Sequence, residues 1–220
     1  MRSCMLCTEL ARTHGVDPWN VPLFASDNFV ALPSIGALVE GWLLLVPKNH
    51  YISIGALPDT LFAELDAFKS FLCSVLIECY GLTVAFEHGA SKERRSVGCG
   101  VDHAHLHLVP VSFDLANLAL PMLPCGASWS PAGLDDCRSS HQRGEDYLYI
   151  EQPISFGRIA TGDIGSQLFR RVIASGIGSP DGYNWREHPH VERVMATISR
   201  IRAWQTSSSS SQHRFLFAAA

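Results

Sequence analysis

The sequence predicts an α+β fold in which an antiparallel sheet carries one long helix. Two observations predict it: short apolar runs joined by links rich in turn-forming residues, and one sustained apolar period of three to four residues lying between two pairs of such runs. Phe29 to Leu32 and Trp42 to Val46 read as the first two strands, separated by Pro33, Ser34, Gly36 and Gly41. From Pro58 onward Leu61, Phe62, Leu65, Phe68, Phe71, Leu72, Val75, Leu76 and Cys79 build one helical face, opened by Pro58 or Asp59 and closed by Gly81. Leu82 to Phe86 follows as a third strand. A loop of glycine and polar residues from Gly89 to Gly100 then leads to a fourth strand, His103 to Val111.

After Ser112 the composition changes. Leu123 to Arg143 holds Pro124, Gly126, Pro131 and Gly133 without periodicity and reads as an irregular connection. Tyr147 to Glu151 and Phe156 to Ala160 form a further strand pair, with helices expected around Ile164 to Ala174 and from His190 to Trp204. The expected organisation is therefore a first domain over 1–115, an irregular connection over 116–146, a C-terminal α/β extension over 147–206 packing on that domain, and a mobile tail over 207–220 opening in a serine run.

Composition narrows the function classes. With 47% hydrophobic and 17% charged residues in 220, the chain can bury a core. A net charge of −4 gives no global reason to bind nucleic acid or an anionic membrane, so neither is expected as a partner. No apolar run approaches the ~20 residues that span a bilayer. Seven cysteines without a secretory signal suit reduced thiols or metal ligands in a cytoplasmic protein better than a disulfide framework.

The sharpest feature is Asp102-His103-Ala104-His105-Leu106-His107-Leu108-Val109-Pro110. Period-two alternation puts His103, His105 and His107 on one strand face and Ala104, Leu106 and Leu108 on the other. Three imidazoles spaced ~7 Å apart have no packing advantage over threonine or lysine, which leaves a metal site or imidazole catalysis near neutral pH.

His103-Ala104-His105-Leu106-His107-Leu108-Val109 resembles the histidine-triad (HIT) pattern, and Gly41-Trp42-Leu43-Leu44-Leu45-Val46-Pro47-Lys48-Asn49-His50 resembles the strand that precedes it in that family. The resemblance covers about residues 4–112. It implies a HIT-like sheet with a long helix and a nucleotide hydrolase in which His105 attacks an α-phosphorus to form a nucleotidyl-histidine. His107 would then contact a phosphate oxygen or the bridging atom, or serve as acid for the leaving group. The substrates implied are nucleoside phosphoramidates, dinucleoside polyphosphates or related conjugates. Transfer to phosphate or a sugar phosphate is the alternative reaction, and a non-catalytic nucleotide-binding module the alternative class. Backbone amides of Gly98, Cys99 and Gly100 are expected to cradle phosphate, with Lys48, Arg94 and Arg95 as lesser candidates.

Cys4-Met5-Leu6-Cys7 has the spacing that lets two thiolates reach one zinc. Zinc-bearing members of the resembled family imply His50 and His103 as the other two ligands, a closed structural site.

Some features depart from the family or lie outside it. Ser34 occupies the position where nucleoside-phosphate hydrolases of the family carry an aspartate for the ribose. Gln167, Arg170 and Arg171 lie on an expected helix, read as solvating it in preference to contacting phosphate. Glu87 and His88 read equally as a strand end or as part of the site. Residues around Trp185, Arg186 and Glu187 are read as shaping the substrate pocket or a homodimer surface.

Overall fold

The computed structural model describes residues 4–12, 16–94, 97, 100–153, 155–207 and 216–217, the last two by their backbone. Its helices are α1 (Met5–Leu10), α2 (Phe62–Tyr80), α3 (Leu115–Ala119), α4 (Leu134–Gln142), α5 (Leu168–Gly176) and α6 (Val191–Ser207). Its strands are β1 (Phe24–Ala25), β2 (Phe29–Pro33), β3 (Leu43–Pro47), β4 (Thr83–Gly89), β5 (Leu106–Pro110), β6 (Ser130–Pro131), β7 (Tyr147–Gln152), β8 (Ser155–Thr161) and β9 (Leu216–Phe217). Among the described residues these strands form one antiparallel sheet, ordered β6-β8-β7-β4-β5-β3-β2-β1-β9. No helix among them is long and apolar enough to cross a membrane.

The β2–β3 hairpin pairs Phe29 with Pro47 through Pro33 with Leu43. Alternation then sends Leu43, Leu45, Leu106 and Leu108 to the face covered by α2, where Leu65, Phe68, Leu72, Val75 and Leu76 meet them in the main core. Burial of each such side chain contributes roughly 1.5–3 kcal/mol. The helix begins at Phe62, because Asp59–Leu61 forms a 3-10 turn first. It ends where Gly81, at φ 102°, gives its N–H to the carbonyls of Leu76 and Ile77.

The fourth strand is shorter than the sequence suggests. Its ladder starts at Leu106, which pairs with Leu45; that register would set Ala104 opposite Pro47. Proline has no N–H to contribute, so the ladder stops, and Ala104 N–H turns to the Tyr51 carbonyl at 2.6 Å instead. His103 and His105 thus precede the strand and only His107 belongs to it.

The C-terminal strands continue the same sheet: β7 pairs with β4 from Ala85–Glu151 to Gly89–Tyr147. The stretch 116–146, expected to be irregular, contains α4 and the two-residue β6. Only Leu134, Cys137 and Ser140 of α4 are buried, too few apolar residues to show a period. The helix is held from outside, against the turn Ile54–Ala56, where Gly55 lies so close that an added Cβ would stand 2.4 Å from the Cys137 carbonyl oxygen. Of the expected tail, Ser207 closes α6 and Leu216–Phe217 pairs with β1, while 208–215 and 218–220 lie outside the described residues.

Candidate active site and metal centre

The N-terminus is fixed by a small second core. Leu6 of α1 packs with Val30, Leu32 and Val46. This places Cys4 and Cys7 beside His50 and His103, with one donor atom from each lying within 4.8 Å of all the others. His103 Nε2 stands 2.9 Å from the Pro47 carbonyl oxygen. A carbonyl only accepts, so Nε2 carries the proton and the Nδ1 lone pair faces the thiols. The Nδ1 to sulfur distances are 3.4 Å from His103 to Cys4, 3.5 Å from His103 to Cys7, and 3.4 Å from His50 to Cys7. Metal–sulfur and metal–nitrogen bonds of about 2.3 and 2.0 Å in a tetrahedron give edges of roughly 3.5 Å, so the donors and spacing fit a divalent ion of zinc type. Burial also holds His103 down to about 4, the neutral form a ligand needs.

His105 and His107 sit next to this cluster, with ring centroids 4.8 Å apart. His105 Nδ1 donates to the His103 carbonyl at 2.7 Å. Its Nε2 therefore holds a lone pair, as an imidazole nucleophile requires. Burial, reinforced by the Arg170 charge, keeps this ring neutral. His107 is 3% exposed, stacks on Phe86 at 4.6 Å, and receives a hydrogen bond on Nδ1 from Trp42 Nε1 at 3.0 Å.

Both histidines line a cleft whose walls include Trp19, Asn20, Pro33, Ser34, Ile35, Val101, Arg170 and Trp185. Ser34 lines this cleft and is buried, its Oγ donating to the Ile35 carbonyl at 3.3 Å. Lys48 is not in the cleft: its Nζ caps the turn before β2, donating to the carbonyls of Ser26 and Asp27 at 2.8 and 3.1 Å. Gly100, at φ 74°, lies beside His103 and His105, and its carbonyl accepts from Arg186 at 3.2 Å. Gly98, Cys99 and Arg95 lie outside the described residues. Arg94 is exposed and bonds through its backbone to Asp102.

Arg170 corrects the solvating reading of α5. It is 1% exposed and points inward, donating to the carbonyls of Tyr183 and Gly36 at 2.8 and 2.5 Å and covering the Trp42 indole at 4.8 Å. Gly36, at φ 73°, lets the chain near Trp185 seat closely, because a Cβ there would stand 2.4 Å from Trp185 Cβ. The C-terminal region thus supplies two walls of the cleft. The available sequence signal was Leu168, Phe169, Val172 and Ile173, which mark the buried side of α5 without saying that Arg170 joins it.

Glu87 and His88 are buried on opposite faces of β4. Burial lifts Glu87 to about 7, against hydrogen bonds from Tyr147 and Ile54. His88 Nε2 accepts from Phe169 N–H at 3.2 Å, and burial drives its pKa down to about 3, helped by the charges of Arg170 and Arg171. Below about pH 6.5 the unfolded chain protonates His88 while the folded chain does not. Stability is thus complete above 6.5 and lost as pH falls toward 3, by up to ~1.4 kcal/mol per unit from this group. His88→Gln keeps an acceptor for Phe169 and removes the titration. Urea unfolding at pH 7 and pH 5 should show the variant losing ~1–2 kcal/mol less than the parent; equal losses would exclude the assignment.

A family model described as "Protein similar to CwfJ C-terminal" matches residues 1–122, more than half of the chain. Among the curated proteins none matches. Similar solved structures include a zinc-bound histidine triad family protein from Mycobacterium smegmatis, at 19% identity and TM-score 0.39 over 64% of this chain and 94% of that one. Another is a histidine triad nucleotide-binding protein from Candida albicans, at 17% and 0.38 over 64% and 94%. A third is a hypothetical histidine triad nucleotide-binding protein from Sulfolobus tokodaii, at 18% and 0.39 over 49% and 68%.

Proposed function

The chain belongs to the histidine-triad-like family of proteins similar to the CwfJ C-terminal region, and from that premise we propose that it is a nucleotide hydrolase acting at an α-phosphorus through a covalent nucleotidyl-His105. The observation that carries the reading is the His105 ring itself, whose Nδ1 proton is bonded to the His103 carbonyl. The Nε2 lone pair is thereby presented in a cleft shared with His107, Arg170 and two tryptophans. In the first step Nε2 bonds to phosphorus while the leaving group departs with the electron pair of its own bond. The positive charge that develops on the imidazole is stabilised by the His103 carbonyl. Water then attacks the same phosphorus, the P–N bond breaks with its electron pair returning to His105 Nε2, and the proton shed by the water passes to solvent. The flat faces of Trp19 and Trp185 suit stacking of a base.

Zinc is the proposed occupant of the Cys4, Cys7, His50 and His103 cluster. When bound it supplies a structural crosslink between the N-terminus and the residue whose carbonyl orients His105.

The test is a panel of nucleotide conjugates, rapidly quenched and mapped by mass spectrometry for a nucleotidyl adduct. An adduct on His105 is expected, and adduct-free turnover excludes the mechanism. Oxygen-18 from water should appear in the released nucleotide; its absence, with phosphate incorporated instead, would identify a transferase.

A further inference from the structure

Trp42 is fully buried beside the reaction centre and carries a polar group that can donate but never accept. Since its Nε1–H points to His107 Nδ1 at 3.0 Å, that nitrogen keeps its lone pair and the single ring proton resides on Nε2. The arrangement is braced on both sides. Arg170 lies over the indole, itself anchored on the Gly36 and Tyr183 carbonyls, and Phe86 stacks on the imidazole.

We propose that Trp42 commits His107 to act as a neutral hydrogen-bond donor, not as a proton-transferring acid, so that the site favours nucleotidyl donors whose leaving group departs as a stable anion, a phosphate or carboxylate, over those that release an amine. The inference rests on the nucleotidyl-histidine chemistry proposed above and narrows its substrates. A neutral His107 that surrendered its Nε2 proton would become an imidazolate. One that first took a second proton, on Nδ1, would set two N–H groups against each other and break the bond to Trp42. Donating a hydrogen bond from Nε2 to a phosphoryl or bridging oxygen needs neither change. That is enough for an anhydride: the P–O bond breaks, the oxygen keeps the electron pair, and phosphate leaves as an anion while His105 bonds to phosphorus. With a phosphoramidate the departing nitrogen needs a proton as the P–N bond breaks, and His107 so held has none to give. A neutral imidazole acting as electrophile is an established use of histidine in other enzymes.

The experiment compares kcat/KM for nucleoside 5′-diphosphates and nucleoside 5′-phosphoramidates across the four ribonucleosides, because this ratio reports the step in which the leaving group departs. The diphosphate should be preferred by at least ~100-fold on the best base. Trp42→Phe removes the N–H while keeping an aromatic ring against Phe86, and should cut that preference at least ~10-fold by improving use of the phosphoramidate. Nitrogen-15 NMR of the unaltered protein should find His107 Nδ1 unprotonated, a readout that does not depend on the variant folding. Equal use of both donors, a protonated Nδ1, or a variant that slows both donors in step would each overturn the inference while leaving the His105 mechanism standing. No adduct from any donor would remove that mechanism, and this inference with it.

Discussion

His105→Ala should lower kcat by at least ~10³-fold, about 4 kcal/mol of transition-state stabilisation, and abolish the covalent adduct. The effect is expected to be nearly total because nothing else among the described residues in or beside the cleft has a comparable lone pair. His107 Nδ1 is occupied by Trp42, and His88 Nε2 by the Phe169 amide. The fold should survive. His105 is partly exposed at the cleft wall, and its Nδ1 hydrogen bond is to a carbonyl two residues away. Deleting such a contact costs about 0.5–1.5 kcal/mol, a shift of a few degrees in Tm for a chain of this size. Thermal unfolding and metal content measured on the same preparation separate loss of chemistry from loss of structure. A variant retaining more than a tenth of parental kcat would transfer the nucleophile's role elsewhere.

The candidate site residues were legible in the sequence wherever a regular spacing marks them. His103, His105 and His107 alternate, Cys4 and Cys7 are separated by two residues, and each spacing survives into the geometry. The α2 face was legible for the same reason: its core contacts come from one helix with one period. Contacts created by distant segments were not. Arg170 is 65 residues from His105 and faces the cleft only because β7 adds to β4, which brings the following helix over the site. An isolated sequence cannot tell a buried arginine from a solvated one when what decides is a pair of carbonyls, at Gly36 and Tyr183, on other segments. Lys48, a lesser candidate for phosphate, lies elsewhere, because two turn carbonyls claim its ammonium. α4 escaped notice because its packing partner is the backbone at Gly55, which leaves no apolar periodicity to read.

Removing the metal should damage catalysis more than folding. Protein purified without added zinc is expected to hold about one ion per chain. A strong chelator, or Cys7→Ser, should then lower Tm by roughly 6–12 °C, about 3 kcal/mol for a chain of this length. That loss is smaller than the ~10–16 kcal/mol with which zinc binds small finger peptides, because here a large core stands without the ion and His103 is already oriented by the Pro47 carbonyl. A bound ion would add a crosslink from α1 to the segment before β5, and within α1 the only buried side chain is Leu6. The catalytic consequence runs through the backbone. His103 offers its side chain to the cluster and its carbonyl to His105 Nδ1, so freeing the side chain loosens the bond that aims the nucleophile. A ~10- to 100-fold fall in kcat is expected, in keeping with the cost of disturbing groups that orient a site. Near-UV circular dichroism of the buried aromatic residues should change little, and readdition of zinc should restore rate and Tm together. Protein isolated metal-free, with full activity and unchanged Tm on chelation, would leave Cys4 and Cys7 as ordinary thiols and remove zinc from the account.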